Sequence, residues 1–95
     1  MDPAAVASVE LGQDAFRRHA WAQALEAFAA ADRDGGLSPE DLELMGEAAW
    51  WAGKLDEGTD PLERAFAAYL EAGRPTEAAG VAFHLSYVAF RRLAP

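Results

Sequence analysis

Histidine is the side chain most often used for proton transfer and metal ligation near neutral pH, and the chain has two, His19 and His84. Neither has a second histidine or a carboxylate four residues away, the spacing that would put two ligands on one helical face. Cysteine is absent, which removes thiol nucleophiles, thiolate metal sites and disulfides together. The run Asp32-Arg33-Asp34-Gly35-Gly36 opens like a calcium-binding loop and then departs from one. Leu37 stands where the sharp turn needs glycine and Gly36 where a ligand belongs, although Glu43 does occupy the closing position. A solvated loop leading into a helix cap fits these residues better. Glu43 and Glu47 are spaced to lie side by side on one helical face, where like charges repel. That arrangement marks either a docking surface for a basic ligand or a solvated acidic face. No catalytic residue, metal ligand or cofactor is expected from this inventory.

The other chemistry-bearing feature is aromatic: Trp50-Trp51, Phe83, Tyr87 and Phe90. Aromatic side chains are favoured as anchors in binding surfaces, and the same helical spacing equally serves packing between helices. Charge narrows the partner. Sixteen acidic residues against eight basic ones leave a formal charge of -8, the wrong sign for phosphate backbones or anionic membranes. A protein or peptide, neutral or basic, is therefore the expected partner, and a small helical nucleic-acid-binding regulator is the alternative. No basic segment precedes an apolar stretch at Met1, and the nearly uncharged run Ala78 to Phe90 is too short to span a bilayer as a helix. A cytoplasmic protein without membrane contact is expected.

The elements that must position these residues are helices. Alanine dominates, the β-branched residues are six Val or Thr, and Ile is absent. Asp2-Pro3 opens a first helix running to about Arg18, and Trp21 to Ala31 carries the apolar face of a second. Asp34-Gly35-Gly36 ends it. Ser38-Pro39-Glu40-Asp41 starts a third with a cap, a first-turn proline and dipole-complementing acids. Gly53 ends the third helix and Gly73 a fourth that covers roughly Asp56 to Ala72. Arg74-Pro75-Thr76 starts a fifth that runs to about Leu93. Gly58 and Pro61, near the start of the fourth helix, predict an irregular first turn there.

Two helix pairs are alike. Leu11-Gly12 followed by Ala15-Phe16 matches Met45-Gly46 followed by Ala49-Trp50, and Trp21, Ala24, Phe28 and Ala31 match Leu55, Gly58, Leu62 and Ala65. The offset is 34 residues (46 less 12), the period of tetratricopeptide helix pairs. Small residues at Gly12, Ala24, Ala31, Gly46 and Ala65 let helices approach, and Leu11, Phe28, Met45 and Leu62 are expected to fill between them. Leu85-Ser86 and Ala89-Phe90 read as half of a third repeat after a longer spacing. The expected architecture is thus an all-α, antiparallel helix-pair solenoid of about five helices and two and a half repeats. It forms one domain over residues 1–95, either a whole protein or a piece of a longer one.

The segments Ala20-Trp21-Ala22-Gln23-Ala24, Leu37-Ser38-Pro39-Glu40-Asp41-Leu42, Glu47-Ala48-Ala49-Trp50-Trp51-Ala52-Gly53, Glu63-Arg64-Ala65-Phe66 and Ala78-Ala79-Gly80-Val81-Ala82-Phe83 resemble the N-terminal tetratricopeptide-like region of large actinobacterial transcriptional regulators of the LuxR type. Similar repeat regions accompany bacterial nucleotide cyclase domains. The resemblance implies a non-catalytic helical sensor or scaffold whose DNA-binding or catalytic part lies elsewhere. In such stacks the first helix of each pair lines a concave groove. The repeat positions then place Gln13, Phe16, Arg17, Glu43, Glu47, Trp50, Phe83, Tyr87 and Phe90 near a partner-binding groove. The fifth helix is apolar nearly all round, which predicts a cover for it, including self-association through that helix.

Overall fold

Each odd-numbered helix begins at a proline, whose missing amide hydrogen costs nothing in a first turn. In the computed structural model, which describes residues 2–94, the elements are α1 (Pro3–Arg17), α2 (Trp21–Arg33), α3 (Pro39–Trp51), α4 (Leu55–Glu71) and α5 (Pro75–Leu93), with no strand among the described residues. The Asp2 carboxylate accepts from the Ala5 amide at 2.9 Å and caps α1, and the Ser38 hydroxyl accepts from the Asp41 amide at 3.0 Å and caps α3.

The turns α1–α2, α3–α4 and α4–α5 share one construction. His19, Gly53 and Gly73 take φ of 60°, 77° and 72°. The next amide in each case reaches back across the helix end, Ala20 to the Ala15 carbonyl, Lys54 to Ala49 and Arg74 to Tyr69, each at 2.8 Å. This left-handed stop satisfies otherwise orphaned carbonyls and turns the chain back on itself. The pairs are consequently antiparallel: Glu43 meets Tyr69 and Gly46 meets Leu62 across α3 and α4, while Gly12 meets Phe28 across α1 and α2. The equivalence of His19 and Gly53, of Gly12 and Gly46, and of the helix starts Trp21 and Leu55 keeps the 34-residue offset read from the sequence.

One core runs through the molecule. Phe28, Leu62, Tyr69 and Val81 are fully buried, with Ala15, Ala24, Ala31, Ala48, Ala49, Ala65 and Ala78 packed among them. The small side chains bring helix axes close, and few large ones are needed to fill the space between.

Three expectations are corrected. Helix α4 is continuous from Leu55, with Gly58 and Pro61 inside it and both buried. A Cβ on Gly58 would stand 3.0 Å from the Gly46 carbonyl oxygen and 3.1 Å from the Ala49 Cβ. The glycine that locally reads as a helix breaker is thus the residue that lets α4 cross α3. Leu11 fills nothing and is 64% exposed. Its counterpart Met45 is buried because the preceding helix α2 covers that side of α3, whereas no earlier helix covers α1 among the described residues. The third-repeat register also differs. Gly46 and Ala49 are buried beneath α4, but Ser86 and Ala89 are exposed. The starts of α3 and α5 lie side by side instead, joined by the Arg74–Glu40 ion pair, and no further helix covers α5 among the described residues.

Between α2 and α4 the Arg64 guanidinium grips Asp32 bidentately, at 2.8 and 2.7 Å, and reaches Asp60 at 3.3 Å. The first acid of the calcium-like run is therefore spent on an interhelical tie. The Arg64 hydrogen bonds hold the Asp32 carboxyl below its ordinary value of 3.8, against the opposing effect of burial. A depressed folded-state value means that the stabilisation is complete above 3.8 and is lost as pH falls below it. Asp32→Asn is expected to cost about 1 kcal/mol at neutral pH, the scale of a partly exposed pair. Urea unfolding at pH 7 and near pH 3 checks this, since the gap between variant and parent should shrink at the lower pH.

Candidate functional site

The C-terminal half of α3 lies beside the middle of α5, because the two helices run parallel from starts that lie side by side. A cleft of about 360 Å³ opens between them, lined by Glu43, Glu47, Trp50, Trp51, Gly80, Phe83, His84 and Tyr87. Five of the eight residues expected in the groove, Glu43, Glu47, Trp50, Phe83 and Tyr87, are brought together here. Trp50 is half-buried at its centre. The Tyr87 ring lies 5.3 Å from it at a tilt of 56°, and His84 meets it edge-on at 5.7 Å. Phe83, 74% exposed, and Tyr87, 51% exposed, offer their rings to solvent at the rim.

The acidic wall is fixed from behind. Tyr69 is buried in α4 and its hydroxyl donates to the Glu43 carboxylate at 2.8 Å. Burial, and then the neighbouring carboxylate, pushes the Tyr69 hydroxyl well above its ordinary value of 10.0, so it remains a neutral donor. The Arg74 guanidinium stacks on the Tyr69 ring at 4.9 Å. Glu47 is half-buried one helical turn beyond Glu43 and makes no hydrogen bond or ion pair among the described residues.

Three expected groove residues, and Gln13 with them, lie elsewhere. Phe16 packs edge-on against Trp21 at 5.1 Å, and Arg17 points to Asp14 at 3.7 Å, both on α1. Gln13 donates to Asp41 at 2.9 Å and ties α1 to the start of α3, away from the cleft. Phe90 is 68% exposed and lies outside the cleft, on a side of α5 turned from Trp50, which meets His84, Tyr87 and Arg91.

Two contributors lie outside the expected groove set. His84 is a half-buried wall of the cleft against Trp50. Trp51 reaches the cleft while stacking on Trp21, whose ring centroid is 6.0 Å away and carries His19 at 4.9 Å on a nearly parallel plane. The doublet Trp50-Trp51 is the available signal, because adjacent residues on a helix point about 100° apart and so serve two surfaces. Nothing in the pattern marks Tyr69, whose role depends on the antiparallel register of α3 and α4.

Compared with protein-family models, curated proteins and solved structures, the chain matches none of them. None of the helices described is long and apolar enough to cross a membrane.

Proposed function

We propose that this chain is a non-catalytic interaction module of tetratricopeptide type, which binds a protein or peptide segment in the cleft between α3 and α5. The observation that carries the reading is the cleft itself, where Trp50, Phe83 and Tyr87 from two helices converge with exposed ring surface beside two carboxylates. Exposed aromatic anchors around a concavity are what hot spots of peptide recognition are made of. The repeat period and the resemblance to the N-terminal regions of LuxR-type regulators favour such a module in a bacterial, cytoplasmic regulatory protein. Self-association through α5 belongs to the same reading. The charge of -8 weighs against the nucleic-acid alternative, and a gel shift with unspecific DNA at low salt discriminates the two.

Selection of binders from a random peptide display library tests the cleft. Tyr87→Ala removes a half-exposed ring and should leave the helix content unchanged while weakening such binders by about tenfold or more, as hot-spot truncation does. Trp50→Ala should weaken them further. Leu11→Ala, an exposed apolar change on α1, should have no effect. Binders indifferent to Tyr87 and Trp50 would place recognition on another surface.

A further inference from the structure

Among the described residues, six of the sixteen carboxylates form ion pairs within the chain. Asp14 pairs with Arg17 and Arg18, Asp32 and Asp60 with Arg64, Glu40 and Glu77 with Arg74, and Asp56 with Arg92. Glu43 and Glu47 are not among them. They line the cleft, stand one turn apart on α3, and neither forms an ion pair among the described residues. Two neighbouring like charges repel on a helix, and a cation between them would relieve that.

The aromatic side of the cleft favours the same charge. An indole face attracts a cation through its negative potential, and Trp50 already does so within the chain: the Arg91 guanidinium lies 5.9 Å from its ring. Arg91 is exposed. An anion would meet the two carboxylates, and a purely apolar side chain would leave Glu47 desolvated without a partner. The volume of about 360 Å³ is at the lower end for a small-ligand pocket, which suits one side chain and its head group better than a folded surface.

From this we propose that the cleft takes a basic side chain, Lys or Arg, of a partner peptide, with its head group between the Trp50 ring and the Glu43–Glu47 pair. The proposal rests on the interaction-module reading and names the chemistry of the ligand. Glu47 supplies the uncommitted carboxylate. Glu43 is oriented by the Tyr69 hydroxyl, and Arg91 is an internal competitor for the Trp50 face.

The test uses peptides selected from the random library and titrated against the full chain by tryptophan fluorescence at low and high salt. Peptides whose binding depends on Tyr87 should share a Lys or Arg. Replacing that residue by norleucine should cost about tenfold, and Glu47→Gln should cost a similar factor. Arg91→Ala should tighten binding several-fold, an effect that loss of structure would not produce. Peptides that depend on Tyr87, lack a basic residue and ignore Glu47→Gln would overturn the cation assignment while leaving the groove in place. A library that yields no binder, or only binders indifferent to Tyr87→Ala, would overturn both.

Discussion

Gly46→Ala is expected to destabilise the protein by about 1–3 kcal/mol, the scale of overpacking in a close-packed interior, although alanine in a helix is worth about 1 kcal/mol more than glycine. The new Cβ would stand 2.4 Å from Leu62 Cγ and 2.6 Å from its Cδ2. Leu62 is fully buried where α4 crosses α3, so the obstacle is the body of a confined side chain. The same substitution at Gly80 meets nothing within 4 Å and should stabilise by up to about 1 kcal/mol through helix propensity alone. Leu62→Ala by itself should cost about 2–5 kcal/mol from lost burial and a cavity. In the double variant the methyl added at Gly46 would enter part of that space, so the combined cost should fall short of the sum by about 1 kcal/mol or more. Urea unfolding followed by far-ultraviolet circular dichroism reads all four variants. A Gly46→Ala protein as stable as its parent would show that the α3–α4 crossing is not set by these two residues.

The physics of that crossing also explains what is legible in the sequence. Helix number, type and ends are readable because they depend on local chemistry: prolines at first turns, the Ser38 cap, and glycines at Gly53 and Gly73 where φ is positive. His19 serves the same left-handed stop without being glycine, and only the two helical patterns on either side of it signal a turn there. The course of α4 is not readable. Locally, Gly58 and Pro61 argue for a break, and only the closeness of Gly46 and Ala49 shows why glycine is needed there. At the site, repeat position finds the residues that share one height on α3 and α5. It misplaces Phe16 because helical phase says nothing of a competing neighbour such as Trp21, and Phe90 because Trp50 faces the side of α5 that carries His84, Tyr87 and Arg91. It misses His84 because a polar ring on an apolar helix reads as solvent-facing, while the Trp50 edge offers it a place inside.

At micromolar to millimolar concentration the isolated chain is expected to pair with a second copy through α5. This helix turns Ala78, Val81 and Val88 into the core. On the other side Ala79, Ala82, Phe83, Ser86, Phe90 and Leu93 are exposed and fall within about 100° of arc, with no charge among them. Phe83 is 74%, Phe90 68% and Leu93 86% exposed, and leaving such side chains in water forgoes roughly 1.5–3 kcal/mol each. The strip joins small residues that permit close approach to large ones that fill gaps, so a two-fold axis can set it against itself. Light scattering after size exclusion should show the mass rising from monomer toward dimer between about 1 and 100 μM. High salt should not reverse this, because the strip is uncharged. Phe90→Glu with Leu93→Glu should hold the chain monomeric with unchanged helix content. It should also leave peptide binding in the cleft intact, since neither residue lines it. A parent chain that stays monomeric at about 1 mM would sink the idea, because burial of this strip against itself should dominate association well below that concentration.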